Sequence, residues 1–287
     1  LPPLESAPTV CVIDSGIQEQ HAWLAPAIDG ASSRSFLPGG SATDVQDEVA
    51  NGGHGTRVAG AVLYGEQVPD SGAPSLPCWL QNARVLGADN QLPVDLFAPA
   101  AMREIVEHFH GGARGTRIFN QSINADAACR QKHMSAWAAA IDNLCEERDV
   151  LFVQTVGNLR PSRAAPRPGI AEQVASGTDY PDYLPEPTNR VANPGQSLQA
   201  LTVGSIAYGM FESAGWRSFA SREGDPSAFS RTGLGIWSVI KPEVVEYGGD
   251  ALRDASTPPR VLTGGVIPGA SPALVRSTLH SGYPHGR

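Results

Sequence analysis

The sequence predicts an α/β fold, a mostly parallel sheet with helices on both faces. Three observations carry that prediction: short β-rich apolar runs, helix-period stretches between them, and 287 residues at 41% hydrophobic content, enough for one large core. In order, the elements are TVCVID, HGTRVAGAVLYG, ARVLGA, VDLFAPAAMREIVEHF, TRIFNQSI, MSAWAAAIDNLCEE and DVLFVQTV. Alternation of strand and helix patterns points to parallel pairing. The strands are almost continuously apolar, as expected when helices cover both faces. In such sheets ligands bind beyond the carboxyl ends of the strands.

After Asn158 the texture changes. Residues 159–197 are dominated by Pro, Gly, Arg and Ser without sustained period and read as a long surface excursion. A further strand is expected over residues 199–207, and the apolar run 241–245 resumes the sheet. Residues 247–287 are again irregular, which is uncommon inside a compact domain unless the stretch is functional or ordered by something else. There is no internal repeat, and residues 1–287 read as a single domain.

A net charge of −8 and a pI near 5.3 argue against a nucleic-acid partner, since phosphate binding needs clustered cations. No apolar run approaches the roughly 18 residues of a membrane span. The opening LPPLESAP lacks the charged and apolar regions of a signal peptide. Cys11, Cys78, Cys129 and Cys145 fall in no metal-binding spacing. Cys11 and Cys145 sit in apolar patterns, as reduced, buried cysteines do, which favours a reducing compartment, the cytoplasm, over export with paired disulfides.

Three polar residues stand out by position. Asp14 ends the apolar strand VCVID, where a carboxylate faces the cleft and needs a compensating partner; the plain alternative is an Asp-Ser-Gly turn. His54 opens a helix pattern between glycines, which leave the imidazole uncrowded for a substrate and a partner acid; a solitary histidine is otherwise more often structural. Asn158 follows the strand LFVQTV, where its amide could donate to a developing oxyanion or merely cap a turn. The order Asp, His, Asn along one predicted sheet edge is what lifts the three above their plainer readings.

These segments resemble those of the subtilisin-like serine peptidases. VCVIDSGI is similar to the family's aspartate motif and GGHGTRVAGAV to its histidine motif, with Arg57 where a second histidine is common. QTVGN resembles the oxyanion-asparagine motif, ALTVGSI the strand that follows, and AFSRTG with IKPEVV the approach to the serine segment. The resemblance runs from about Thr9 to Glu246. It implies a subtilisin-like three-layer fold and a serine endopeptidase, with Asp14 and His54 in an Asp/His/Ser triad and Asn158 as oxyanion donor. FNQSIN resembles the strand whose backbone pairs with substrate beside the primary specificity pocket, which makes Ser122 and Asn124 substrate-binding candidates. Asn124 stands where glycine is usual, which alters the pocket's shape.

The family's serine lies in a motif like G-T-S-x-A-x-P at the start of a buried helix. The nearest string here is Gly269-Ala270-Ser271-Pro272-Ala273, in which proline directly follows the serine. The domain is therefore expected to be incomplete at its C-terminus, with the nucleophile on a serine-bearing segment beyond Arg287 and this chain alone inactive. The alternative is a catalytically inactive relative that binds peptides or a partner protein. Protein or peptide substrates are implied, and, as for family members that work inside bacterial cells, a regulatory ATPase is a candidate partner. No cofactor is expected. Many members bind structural calcium in surface loops, for which Asp44, Asp47 and Glu48 are the candidates, although acidic loops are usually just solvated. A metal-dependent hydrolase is the remaining reading, but His108 and His110 diverge on a helix, and His280 and His285 lack a nearby carboxylate.

Overall fold

The computed structural model describes residues 1–65, 68–69, 71–72, 75–263, 275 and 277–278. In chain order the elements are β1 (Thr9–Asp14), β2 (Arg34–Ser35), α1 (Gly55–Tyr64), β3 (Trp79–Arg84), α2 (Ala98–His110), β4 (Ile118–Gln121), α3 (Ala136–Arg148), β5 (Leu151–Thr155), α4 (Ile170–Ala175), β6 (Leu201–Ile206), β7 (Glu212–Ser213), β8 (Trp216–Ser218), β9 (Val244–Tyr247), β10 (Ala251–Asp254) and β11 (Val261–Thr263). Seven strands form a parallel sheet in the order β2-β3-β1-β4-β5-β6-β9. The α/β architecture read from the alternating pattern is the one observed.

β1 shows why its sequence lacks alternation. Cys11 and Ile13 pack with α2 and α3 residues such as Met102, Ile105, Phe109, Trp137 and Ile141 on one face. Val10 and Val12 pack with Ala59 and Leu63 of α1 on the other. Both pleat faces are buried, so every position between Thr9 and Asp14 is apolar. The stripe Ala101, Met102, Ile105, Val106 and Phe109 is the buried face of α2. Burying side chains such as Ile105 and Phe109 contributes roughly 1.5–3 kcal/mol each. Helix α3 starts where Ser135 Oγ accepts from Ala138 N at 3.0 Å, and it ends at Asp149 in the left-handed region.

Residues 159–197 differ from the surface excursion their composition predicts. Leu159, Ile170, Tyr183 and Leu184 are buried with Phe219, Ala228, Ala251 and Val261 in a second, smaller core. Over this core lie α4 and an antiparallel sheet in the order β11-β10-β8-β7. Its strands have two to four residues, too short to print a period, and the apolar residues between the prolines follow none. Ahead of β9, the buried Lys241 Nζ donates to Ala200 O at 3.0 Å and Thr202 Oγ1 at 3.1 Å and pairs with Glu243, fastening that strand's approach to β6.

Candidate active site

Asp14 is the last residue of β1, between β3 and β4 in the sheet, so its carboxylate emerges at the carboxyl edge. Its side chain is 1% exposed. Oδ1 accepts from Ser15 N at 2.7 Å and faces His54 Nδ1 at 2.6 Å, while Oδ2 is buried without a partner among the described residues. A buried carboxylate needs such donors to remain charged. His54 is the residue before α1, and its side chain is 35% exposed. The ring nitrogen away from Asp14 is therefore the one available to a substrate.

The glycines around His54 are required by close approach. A Cβ on Gly55 would sit 2.2 Å from Gly16 O, and one on Gly53, at φ 84°, would sit 2.2 Å from an oxygen of Asp47. These contacts clamp the histidine turn against the aspartate turn. Asp47 is the residue that sequence reasoning treated only as a calcium candidate. It is 1% exposed, accepts from Ser15 Oγ at 2.9 Å and Val49 N at 3.2 Å through Oδ1, and from Thr56 N at 2.9 Å and Thr56 Oγ1 at 2.7 Å through Oδ2. Ser15 Oγ in turn accepts from Gly55 N at 2.9 Å. One buried carboxylate thus ties the residue after Asp14 to the first turn of the helix after His54. No motif spacing marks it; the one signal was an acidic residue shortly before the glycines.

Burial lowers the His54 pKa, but the Asp14 charge, its hydrogen bond and the charge of Asp47 outweigh burial and Arg57, so the net shift is upward. The imidazolium is the form this site stabilises.

Asn158 follows β5 across Gly157, which has φ 91°. It is exposed, and its amide makes no hydrogen bond among the described residues. Backbone bonds from Leu159 N to Phe229 O at 2.7 Å and Arg231 N to Gly157 O at 3.1 Å hold the turn. A Cβ on Gly157 would meet Asn124 Oδ1 at 3.0 Å, Ala192 Cβ at 2.8 Å and Arg231 Cδ at 3.1 Å, so the Asn124 segment and the Asn158 turn are in direct contact. Since β1, β4 and β5 are neighbours, Asp14, Ser122 and Asn158 all lie at one edge. Residues 119–121 of FNQSIN are paired on both sides, with β1 and with β5, so only residues 122–124 are left to meet an extended ligand. Ser122 Oγ accepts from Asn120 Nδ2 at 3.0 Å.

Of the remaining candidates, Asp44, Glu48, His108 and His110 have protein partners. Arg84 binds Asp44 at 2.8 Å and Glu48 at 2.5 Å. His108 Nε2 lies 2.8 Å from Ser32 O, and His110 Nδ1 lies 3.1 Å from Thr116 O. Among the described residues no group of His, Cys, Asp or Glu is arranged to hold a metal. Ser271, His280 and His285 lie outside the described residues. The four cysteines are free thiols.

The Subtilase family model matches residues 5–279. An uncharacterised protein of Sinorhizobium fredii, y4bN, is 35% identical over 162 residues, covering 54% of this chain and 36% of that protein. The chain thus spans little more than a third of that relative's length. Of solved structures, the nisin leader peptidase NisP from Lactococcus lactis superposes with a TM-score of 0.57 at 17% identity, over 100% of this chain and 73% of that one. The epidermin leader peptide processing serine protease EpiP from Staphylococcus aureus gives 0.57 at 14% identity, over 100% of this chain and 62% of that one. At these identities the likeness speaks for the fold. With the family matched over nearly its whole length and a subtilisin-like sheet carrying the aspartate and histidine motifs at one edge, the chain belongs to the subtilase family.

Proposed function

We propose that this protein is a serine endopeptidase in which Asp14, His54 and Asn158 serve an attacking serine. The observation that carries the reading is the 2.6 Å contact between His54 Nδ1 and the buried Asp14. It fixes the tautomer with the proton on Nδ1 and leaves Nε2 free as a base. In the reaction, Nε2 takes the serine proton as Oγ attacks the scissile carbonyl. Asp14 stabilises the resulting imidazolium. The Asn158 amide donates to the oxyanion, His54 returns the proton to the leaving amine, and water hydrolyses the acyl-enzyme.

The motif comparison points beyond Arg287 for the serine. Ser271 lies outside the described residues but inside the family match, which runs to residue 279, and within that match Thr278 is fully buried and donates to Thr56 O at 2.7 Å. Gly60 of the same helix has no room for a Cβ, which would meet Thr278 Oγ1 at 2.1 Å. Thr278 therefore rests on the helix that begins beside His54. We take Ser271 as the first candidate nucleophile and a serine beyond Arg287 as the second. The free thiols support a reducing compartment as the working environment.

The test is turnover of a peptide library by the complete protein, with His54→Ala and Ser271→Ala as variants checked for intact fold by circular dichroism. Loss of cleavage in both supports a triad completed by Ser271, and loss in His54→Ala alone moves the serine downstream. Binding of peptides without cleavage by the complete wild-type protein would favour the inactive, peptide-holding alternative.

A further inference from the structure

The crease between residues 122–124 and the Gly157–Asn158 turn is held from both sides. Ile123 O receives Gln154 Nε2 at 2.9 Å, and Ala125 N donates to Asn193 O at 2.7 Å. The chain around Ala192 completes it. Ala192 N donates to Val156 O at 2.9 Å, Ala192 O receives Gly195 N at 2.7 Å, and Cys129 N donates to Val191 O at 2.8 Å. Residues 191–193 thus bridge the segment that follows β4 to the end of β5, and both Ala192 and Gly157 are buried. The space beside Gly157 is taken: a Cβ there would lie 2.8 Å from Ala192 Cβ, 3.0 Å from Asn124 Oδ1 and 3.1 Å from Arg231 Cδ. Ala192 is fixed by its backbone bonds, and the Arg231 stem by its guanidinium, whose Nη1 donates to Thr188 O at 3.0 Å and Arg190 O at 3.1 Å. Asn124 stands against the same wall, half-buried, on a segment anchored at Ile123 and Ala125.

On the peptidase reading, this crease is where substrate lies. Residues 122–124 are the part of FNQSIN left to pair with an extended peptide, and the Asn158 amide marks the place of the scissile carbonyl. Gly157 joins the two, in contact with Asn124 and next to Asn158 in the chain. The substrate residue that supplies the carbonyl therefore turns its side chain towards the wall made by Gly157, Asn124 and Ala192. We propose that Asn124 and Ala192 close this crease to large side chains and make cleavage selective for glycine or alanine at that residue. A hydrogen atom or a methyl group asks little of the wall. A ring or a branched chain must displace Asn124 or a buried, hydrogen-bonded backbone, and overpacking of that kind opposes binding. The proposal rests on the peptidase reading above and names its substrate class.

The experiment uses the complete protein and four peptides that differ only in carrying Gly, Ala, Leu or Phe before the scissile bond. Ala is expected to exceed Phe by about ten-fold or more in kcat/KM, the effect of overpacking a fixed wall, with Gly also ahead of Leu and Phe. An open apolar pocket gives the reverse order, with Phe ahead of Ala by about ten-fold, because the larger side chain buries more surface. In Asn124→Gly/Ala192→Gly the Ala to Phe ratio should fall to about one or below as the crease opens. Phe equal to or ahead of Ala in the wild type, or an unchanged ratio in the folded double variant, overturns the proposal while leaving the peptidase reading intact. Should the double variant fail to fold, the wild-type order decides. Fluorescence anisotropy of the same labelled peptides on His54→Ala reads the crease without turnover. Tighter binding of the Ala peptide there supports the closed crease even if no cleavage occurs, and equal or tighter binding of the Phe peptide overturns it.

Discussion

Asp47→Asn isolates the device that holds the aspartate and histidine turns together. Both carboxylate oxygens face donors: Ser15 Oγ and Val49 N on one side, Thr56 N and Thr56 Oγ1 on the other. An amide can present its oxygen to only one side, so its NH2 must face at least one backbone N–H. The hydroxyls of Ser15 and Thr56 can rotate, but Val49 N or Thr56 N cannot. One unmet N–H, buried at Thr56 and part-buried at Val49, costs about 1–3 kcal/mol, with the low end at Val49, and exchanging charge-assisted for neutral bonds on the surviving side adds about 1 kcal/mol, so a loss of roughly 2–4 kcal/mol is expected. Urea unfolding of wild type and variant, compared at equal slope, measures it. The charge of Asp47 also helps raise the His54 pKa, so the imidazole resonance of the variant should titrate lower by NMR. A stability loss under about 0.5 kcal/mol would refute the reasoning that Asp47 is a structural hub.

Further outcomes follow from the same geometry. Asn158→Ala should lower kcat by about 10²–10³ with little change in KM, a magnitude set by subtilisin, a member of this family, and not by the present structure; an unchanged kcat would remove Asn158 from the oxyanion site. Because His54 must be neutral to act as base and its pKa is raised, the acid limb of kcat/KM should lie above the ordinary histidine value. In Asp14→Asn it should move down as the maximum rate falls. The same shift makes the Asp14–His54 pair stabilising below the ordinary imidazole pKa, with that contribution lost as pH rises through the His54 value in the folded protein. The wild type's stability advantage over His54→Ala should therefore shrink with rising pH, and an advantage that grows would contradict the sign.

Much of this was legible in the sequence because the sheet core obeys simple patterns. β1 is buried on both faces, so its apolar run and terminal Asp14 stand out, and the glycines at His54 advertise a turn with no room for side chains. The second core was not legible. Its contributors, from Leu159 through Tyr183 to Val261, are single apolar residues scattered among prolines and glycines and joined only by tertiary packing. Asp47 escaped for a related reason: its partners Ser15 and Thr56 sit in other turns, and a loop carboxylate looks the same in sequence whether it is solvated or buried.

The most direct test of the central claim is a fluorophosphonate reaction of the complete protein, followed by peptide mass mapping. An Asp14–His54 pair that activates a serine predicts one phosphonylated serine, at Ser271 or downstream of Arg287, with labelling lost in His54→Ala. No labelled serine, or labelling untouched by His54→Ala, would contradict the account.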